Sequence, residues 1–163
     1  LQQAFDGCSK ILTVSGPDGS RKRIRMKIPA GVLDGDKIRL KGQGINGGDL
    51  FVTVRIKKED GQELQDLDIV QDVPVLPWEA VLGANITVQS PDGKKLSVRI
   101  PPATSSGKKL RIPNRGYRDR KGKRGDLYIR VMIAVPGDIS GREKELYNEL
   151  KEISRWNPRG YEA

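Results

Sequence analysis

Gly48-Asp49-Leu50-Phe51-Val52 recurs as Gly125-Asp126-Leu127-Tyr128-Ile129, and the rest of the chain falls into register around that pair. Ahead of the first copy stand Gln3-Ala4-Phe5-Asp6-Gly7, Pro17-Asp18-Gly19 and Ile28-Pro29-Ala30-Gly31. Ahead of the second stand Glu79-Ala80-Val81-Leu82-Gly83, Pro91-Asp92-Gly93 and Ile100-Pro101-Pro102-Ala103. The landmarks keep their order at a spacing of roughly 75 residues, too long for a solenoid unit and suited to a small domain. Two similar lobes and a tail are the expectation: residues 1–60, 61–138 and 139–163.

Both lobes read as β-structure. Arg23-Ile24-Arg25-Met26-Lys27-Ile28 alternates charged and apolar residues at period two, the pattern of a half-buried antiparallel strand. The same alternation marks strands at 37–41, 50–56, 96–100, 109–112 and 128–131. The Pro-Asp-Gly tripeptides are turns, and the segments ending at Gly7 and Gly83 are single helical turns stopped by glycine. An all-β fold of two tandem, similar β-sandwich lobes follows, with short helical turns and a C-terminal α-helix. Lobe two begins with a strand at 66–73. Its lobe-one equivalent would precede Leu1, so lobe one is expected to lack its first strand and to carry an unpaired edge. A start at Leu1 rather than Met also suggests a fragment.

The tail opens with Ser140-Gly141-Arg142-Glu143, a capping box in which the serine hydroxyl and the glutamate carboxylate each meet the other's amide. Leu146, Leu150 and Ile153 then share one helix face. That stripe packs on its own domain or pairs two copies of the chain.

Composition narrows the chemistry. The 163 residues carry 30 Lys and Arg against 21 Asp and Glu, a net charge of +9, and no histidine. Imidazole ligands, histidine-activated nucleophiles and the commonest general base are therefore absent. The single cysteine, Cys8, rules out an intrachain disulfide and a multi-cysteine zinc site. No catalytic residue, metal ligand or cofactor is expected, and no apolar run approaches the ~20 residues of a membrane span. Gly42-Gln43-Gly44-Ile45-Asn46-Gly47 satisfies the dinucleotide-loop pattern G-x-G-x-x-G but leads into a strand rather than a helix. Its glycines read as turn formers. Arg115, Arg118, Arg120, Lys121, Lys123 and Arg124 crowd the loop 114–125, which is either a solvated surface loop or a phosphate-binding one.

The ordered set of motifs resembles the C-terminal substrate-binding region of the DnaJ family of co-chaperones. The residues that carry the resemblance are Ala4-Phe5-Asp6-Gly7, Lys27-Ile28-Pro29-Ala30-Gly31-Val32, Gly35-Asp36-Lys37-Ile38-Arg39-Leu40, Gly42-Gln43-Gly44 and Gly48-Asp49-Leu50-Phe51-Val52. Glu79-Ala80-Val81-Leu82-Gly83, Gly107-Lys108-Lys109-Leu110-Arg111 and Gly125-Asp126-Leu127 add the second lobe. No C-x-x-C-x-G-x-G repeat is present, which matches the zinc-less subclass. Lys58-Glu59-Asp60-Gly61-Gln62-Glu63 replaces the family's usual histidine-proline segment at the lobe junction.

The resemblance implies a cytoplasmic, non-enzymatic homodimer. It would bind extended apolar segments of non-native polypeptides by strand addition and hand them to a seventy-kilodalton heat-shock chaperone of the DnaK type. It implies a client pocket on lobe one formed by Leu12, Val14 and Val52 with Lys10 at its rim, and dimerisation through Leu146, Leu150 and Ile153. Ile11, Leu12 and Val14 make their strand apolar on both faces, which fits either a pocket or a core. The alternative is a nucleic-acid or nucleoid-associated role through the loop 114–125, and a third reading is a dimerisation platform that only holds domains apart.

Overall fold

The computed structural model describes residues 1–16, 19–57 and 61–160. The turn expected at Pro17-Asp18 and the junction residues Lys58, Glu59 and Asp60 lie outside the described residues. The chain divides into two compact units, Leu1–Ile133 and a second beginning at Ala134.

In the first unit the elements run α1 (Gln2–Asp6), β1 (Cys8–Ser15), β2 (Arg21–Ile28), β3 (Lys37–Leu40) and β4 (Leu50–Thr53). They continue with β5 (Gln62–Gln65), β6 (Asp68–Val75), α2 (Pro77–Leu82), β7 (Ala84–Gln89), β8 (Lys95–Ile100), β9 (Lys109–Ile112) and β10 (Leu127–Ile133). Three antiparallel pairs, β1-β2, β3-β4 and β7-β8, accompany one four-stranded sheet of order β5-β6-β10-β9. In that sheet β6 and β10 run parallel, Leu127 opposite Ile69 and Val131 opposite Val73. The chain is all-β as expected, with few helical turns.

The repeat holds to the level of single hydrogen bonds. Gly35 N–H donates to the Val54 carbonyl at 2.9 Å, and Gly107 N–H to Val131 at 2.7 Å; Val54 and Val131 donate back to Asp36 and Lys108 at 2.8 and 2.9 Å. In each Gly-Asp-Leu motif the aspartate ties its loop to the strand. Asp49 accepts from Gly42 N–H at 3.0 Å and pairs with Arg39, while Asp126 accepts from Asn114 N–H at 2.8 Å and pairs with Arg111 at 2.6 Å. The ladders also fix the lobe-to-lobe correspondence of the second strands. Cys8 lies opposite Ile28 as Ala84 lies opposite Ile100, so Lys10 matches Ile86 and Leu12 matches Val88.

Two expectations need correction. The first strand of lobe two spans Asp68–Val75 rather than 66–73, because Asp66 takes φ 53° in a tight turn after an unexpected strand, β5. Aspartate tolerates that left-handed conformation better than most side chains. β5 hides in Gln62-Glu63-Leu64-Gln65, whose single apolar residue gives no usable alternation.

The basic loop is not simply solvated, since it docks on lobe one. Tyr117 is wholly buried, its hydroxyl donates to the Val32 carbonyl at 2.6 Å, and its ring meets Phe5 edge-on at 5.7 Å. Arg124 reaches Asp92 at 3.1 Å and lies over the Phe5 ring, and Arg120 pairs with Asp36 at 2.6 Å. Gly31 permits this docking. It sits at φ 74°, and a Cβ there would fall 2.7 Å from the Arg118 carbonyl oxygen.

The core cluster belongs mainly to lobe two: Ile69, Val75, Ile100, Leu127, Ile129 and Val131 are essentially inaccessible, and Leu1, Ala4, Phe5 and Leu33 of lobe one pack against it. In the second unit α3 (Gly141–Ile153) starts with the expected capping box. Ser140 N–H donates to the Glu143 carboxylate at 2.7 Å, and Glu143 N–H donates to the Ser140 hydroxyl at 3.3 Å. Among the described residues no helix is long and apolar enough to cross a membrane.

Candidate polypeptide-binding face

Lys10, Leu12 and Val14 project from one face of β1 by strand alternation, in register with Met26, Ile24 and Lys22 of β2. Met26 and Ile24 are buried, Leu12 and Val14 are half-buried, and Lys10 is exposed. Val52 is half-buried on β4 opposite Ile38 of β3. Val52 thus lies on a different ladder from the three β1 residues.

Their counterparts in lobe two are sealed. Val88, matching Leu12, is buried, and Leu127, Ile129 and Val131, which match the β4 run from Leu50, are at 0% exposure. The difference has a structural cause. In lobe two β10 is flanked by β9 on one side and β6 on the other. In lobe one β4 has β3 on one side, and among the described residues no strand stands where β6 stands. Among the described residues β1 pairs with β2 alone, as β7 pairs with β8 alone in lobe two, so that open edge is common to both lobes and the missing counterpart of β6 is what sets lobe one apart. Lobe one therefore joins incompletely covered apolar side chains to strand edges with open backbone groups, the combination an extended polypeptide can satisfy.

The opposite faces hold residues that were not singled out as binders. Ile11 is 63% exposed and Phe51 60% exposed, opposite Arg25 and Arg39 on their ladders. The signal was present in both strands, each of which is apolar on two sides where a half-buried strand needs one. In lobe two Trp78, Val81 and Leu82 of α2 are also exposed. On α3, Leu146, Leu150 and Ile153 are all exposed. Gly42 to Gly47 forms a loop ending in a single 3-10 turn before β4, so no helix N-terminus stands ready for a pyrophosphate.

Electrostatics in this unit are structural. Arg130 of β10 forks onto Asp72 of β6, with contacts of 2.5 and 2.9 Å, and touches Glu63 of β5 at 3.4 Å. Its hydrogen bond holds the Asp72 carboxyl below the usual carboxylate range. The Asn114 amide, then the Arg111 guanidinium, does the same for Asp126. Burial pushes the Tyr117 phenol up to about 12.

Among the described residues, a duplicated β-lobe presents open strand edges beside half-covered apolar side chains, a surface suited to pairing with an extended chain. The chain belongs to the DnaJ family: residues 1–136 match the DnaJ C terminal domain. That domain is not an enzyme family. Similar proteins include the Curved DNA-binding protein of Pseudomonas putida, 40% identical over 144 residues, covering 85% of this chain and 45% of the relative. The Chaperone protein DnaJ of Deinococcus proteolyticus is 36% identical over 155 residues, covering 95% and 48%. A Curved DNA-binding protein of Coxiella burnetii is 33% identical over 174 residues, covering 98% and 55%. The chain spans about half the length of these relatives.

Proposed function

We propose that the chain is the client-binding part of a cytoplasmic co-chaperone. It captures extended apolar segments of non-native polypeptides on lobe one and passes them to a DnaK-type seventy-kilodalton chaperone. The observation that carries this reading is the contrast between half-buried Leu12 and Val52 and their sealed counterparts Val88 and Ile129, beside open strand edges. Lys10 sits at the rim, and Val14 extends the apolar face.

The energetics suit transient capture. Each backbone hydrogen bond of an added strand contributes about 0.5–1.5 kcal/mol. Two buried anchors add about 1.5–3 kcal/mol apiece before the cost of ordering the ligand is subtracted. The net, on the order of −5 to −8 kcal/mol, corresponds to micromolar or weaker binding. Backbone-led recognition also accepts many sequences. Pairing two copies through Leu146, Leu150 and Ile153 of α3 would recover strength by raising the effective concentration of the second site. Suppression of aggregation of denatured luciferase, compared between the parent chain and Leu12→Asp or Val52→Asp, tests the reading; equal suppression by all three would remove it.

A second reading has its own support, in the names of the Pseudomonas putida and Coxiella burnetii relatives. Arg118, Lys121 and Lys123 remain exposed at the tip of the docked loop, where they could meet phosphates. A gel-shift titration at two salt concentrations tests it, because phosphate contacts require a steep salt dependence.

A further inference from the structure

A pocket of about 230 Å³ opens where the start of α1 meets the β5-β6 ladder and the end of β7. Carboxamides dominate its walls. Gln62 and Gln71 stand opposite each other on β5 and β6, so their side chains leave the same face of the ladder. Gln2 of α1 and Gln89 of β7 add two more carboxamides, and Ser90, 3% exposed, adds a hydroxyl. Leu1 and Pro91 supply the apolar remainder.

The walls are held in place by the protein itself. The β7-β8 turn closes through Ser90 N–H to the Lys94 carbonyl at 2.7 Å and Gly93 N–H to the Ser90 carbonyl at 2.8 Å. Asp92 within that turn is anchored to Arg124 at 3.1 Å. The Gln2 amide donates to the Asp6 carboxylate at 2.5 Å. One group in this rigid frame is left over. Gln71 Oε1 is buried and accepts no hydrogen bond among the described residues. A buried acceptor in that state costs the chain its desolvation energy until a donor reaches it.

We propose that this pocket binds a small neutral polyol, an acyclic chain of adjacent hydroxyls. No charged side chain lines the space, so an ion would lose its hydration without gaining a counter-charge. A carboxamide sets an acceptor beside two donors, and a hydroxyl both donates and accepts through one atom, so neighbouring hydroxyls complement neighbouring carboxamides. No lining residue is aromatic, which leaves a sugar ring without a face to stack on. The volume also falls below the roughly 300–1,000 Å³ of ordinary ligand clefts, which favours a short ligand. One hydroxyl donates to Gln71 Oε1, its neighbours meet Gln62, Gln89 and Ser90, and the carbon chain rests on Leu1 and Pro91. A ligand of about a dozen heavy atoms held this way binds in the millimolar range, which suits solutes that cells accumulate to high concentration. Because α1 forms one wall and β5, β6 and β7 the others, the bound polyol would tie the start of lobe one to lobe two. The site is independent of the lobe-one face and of the basic loop.

Nitrogen-15 NMR of the side-chain amides tests the proposal, with sorbitol as the probe and gluconate, a chain of the same length carrying a carboxylate, as the comparison. The amide signals of Gln62, Gln71 and Gln89 are expected to move along saturating curves. Gln43, between β3 and β4 and outside the pocket, should move only linearly. Gluconate should bind at least fivefold more weakly than sorbitol. Gln71→Leu removes the unsatisfied acceptor at similar volume and should weaken sorbitol at least tenfold, read at Gln62 and Gln89. Ser90→Ala should lose an intermediate amount and decides the matter if Gln71→Leu disturbs the ladder. Linear shifts at every glutamine would mean a general solute effect with water alone in the pocket, and would overturn the assignment. So would gluconate binding as tightly as sorbitol, or sorbitol affinity untouched by both substitutions.

Discussion

The Tyr117 hydroxyl donates a 2.6 Å hydrogen bond to the Val32 carbonyl, joining residues 85 positions apart and tying a lobe-two loop to lobe one. Both residues are at 0% exposure, so neither group has water as an alternative partner. Tyr117→Phe leaves the Val32 carbonyl unsatisfied, and the expected loss is about 1–3 kcal/mol. Urea unfolding followed by circular dichroism would read it as a lower midpoint with an unchanged slope.

Gly125 opens the second Gly-Asp-Leu motif under the β5-β6 turn, where a Cβ would fall 2.1 Å from the Leu67 carbonyl oxygen. The corresponding distance at Gly48 in lobe one, to the Ile45 carbonyl oxygen, is 3.1 Å. Overpacking against fixed backbone costs about 1–3 kcal/mol or more. Gly125→Ala should therefore destabilise the unit clearly more than Gly48→Ala, as compared by thermal melts of the two variants.

Acid stability should depend on Asp72 and Asp126. Both carboxyls titrate lower folded than unfolded. Their contribution is thus fully present above the unfolded carboxylate pKa of about 3.9, and is lost as pH falls through the depressed folded values. Urea midpoints should stay level from neutral pH to about pH 5 and drop below about pH 4. In Asp72→Asn the parent's excess stability should disappear at neutral pH and the acid limb should flatten.

Tyr117 predicts the alkaline limb. Its folded pKa of about 12 lies above the ordinary phenol value of 10.0, so its contribution is complete below pH 10 and lost as pH rises from there through about 12. Tyr117→Phe should remove that component of base unfolding, read by tyrosine absorbance alongside circular dichroism.

Removal of the chain after Pro136 tests α3. Sedimentation should change from dimer to monomer, while residues 1–133 keep their β-sheet circular dichroism. An unchanged sedimentation coefficient per chain mass would take Leu146, Leu150 and Ile153 out of the assembly.

Local rules made much of this fold legible. Period-two alternation located β2, β3, β8, β9 and β10, and the Ser140 capping box placed the start of α3. What escaped depends on distant partners. β5 is a strand because β6 lies beside it, and nothing in Gln62-Glu63-Leu64-Gln65 announces that neighbour. Tyr117 stands among cations, and its burial comes from Val32 and Phe5 far upstream. At the candidate site, alternation showed β1 apolar on both faces, and the choice of Leu12 and Val14 came from the resemblance to the family. The degree of their exposure was out of reach, since it reflects which strand edges the rest of the chain covers.

The parallel join of β6 to β10 has a consequence for biogenesis. Asp68 must wait for Asp126, 58 residues later, before the central ladder of its sheet can start to zip. A ribosome therefore exposes β6, with its Ile69-Val70 pair, for the whole time needed to make α2, β7, β8 and β9. Closing so wide a loop is slow compared with forming hairpins. The nascent chain should accordingly pass through a stage in which the β5-β6 and β7-β8 hairpins have formed while the β10-facing edge of β6 remains protease-sensitive and aggregation-prone. The chain would itself need shelter during synthesis.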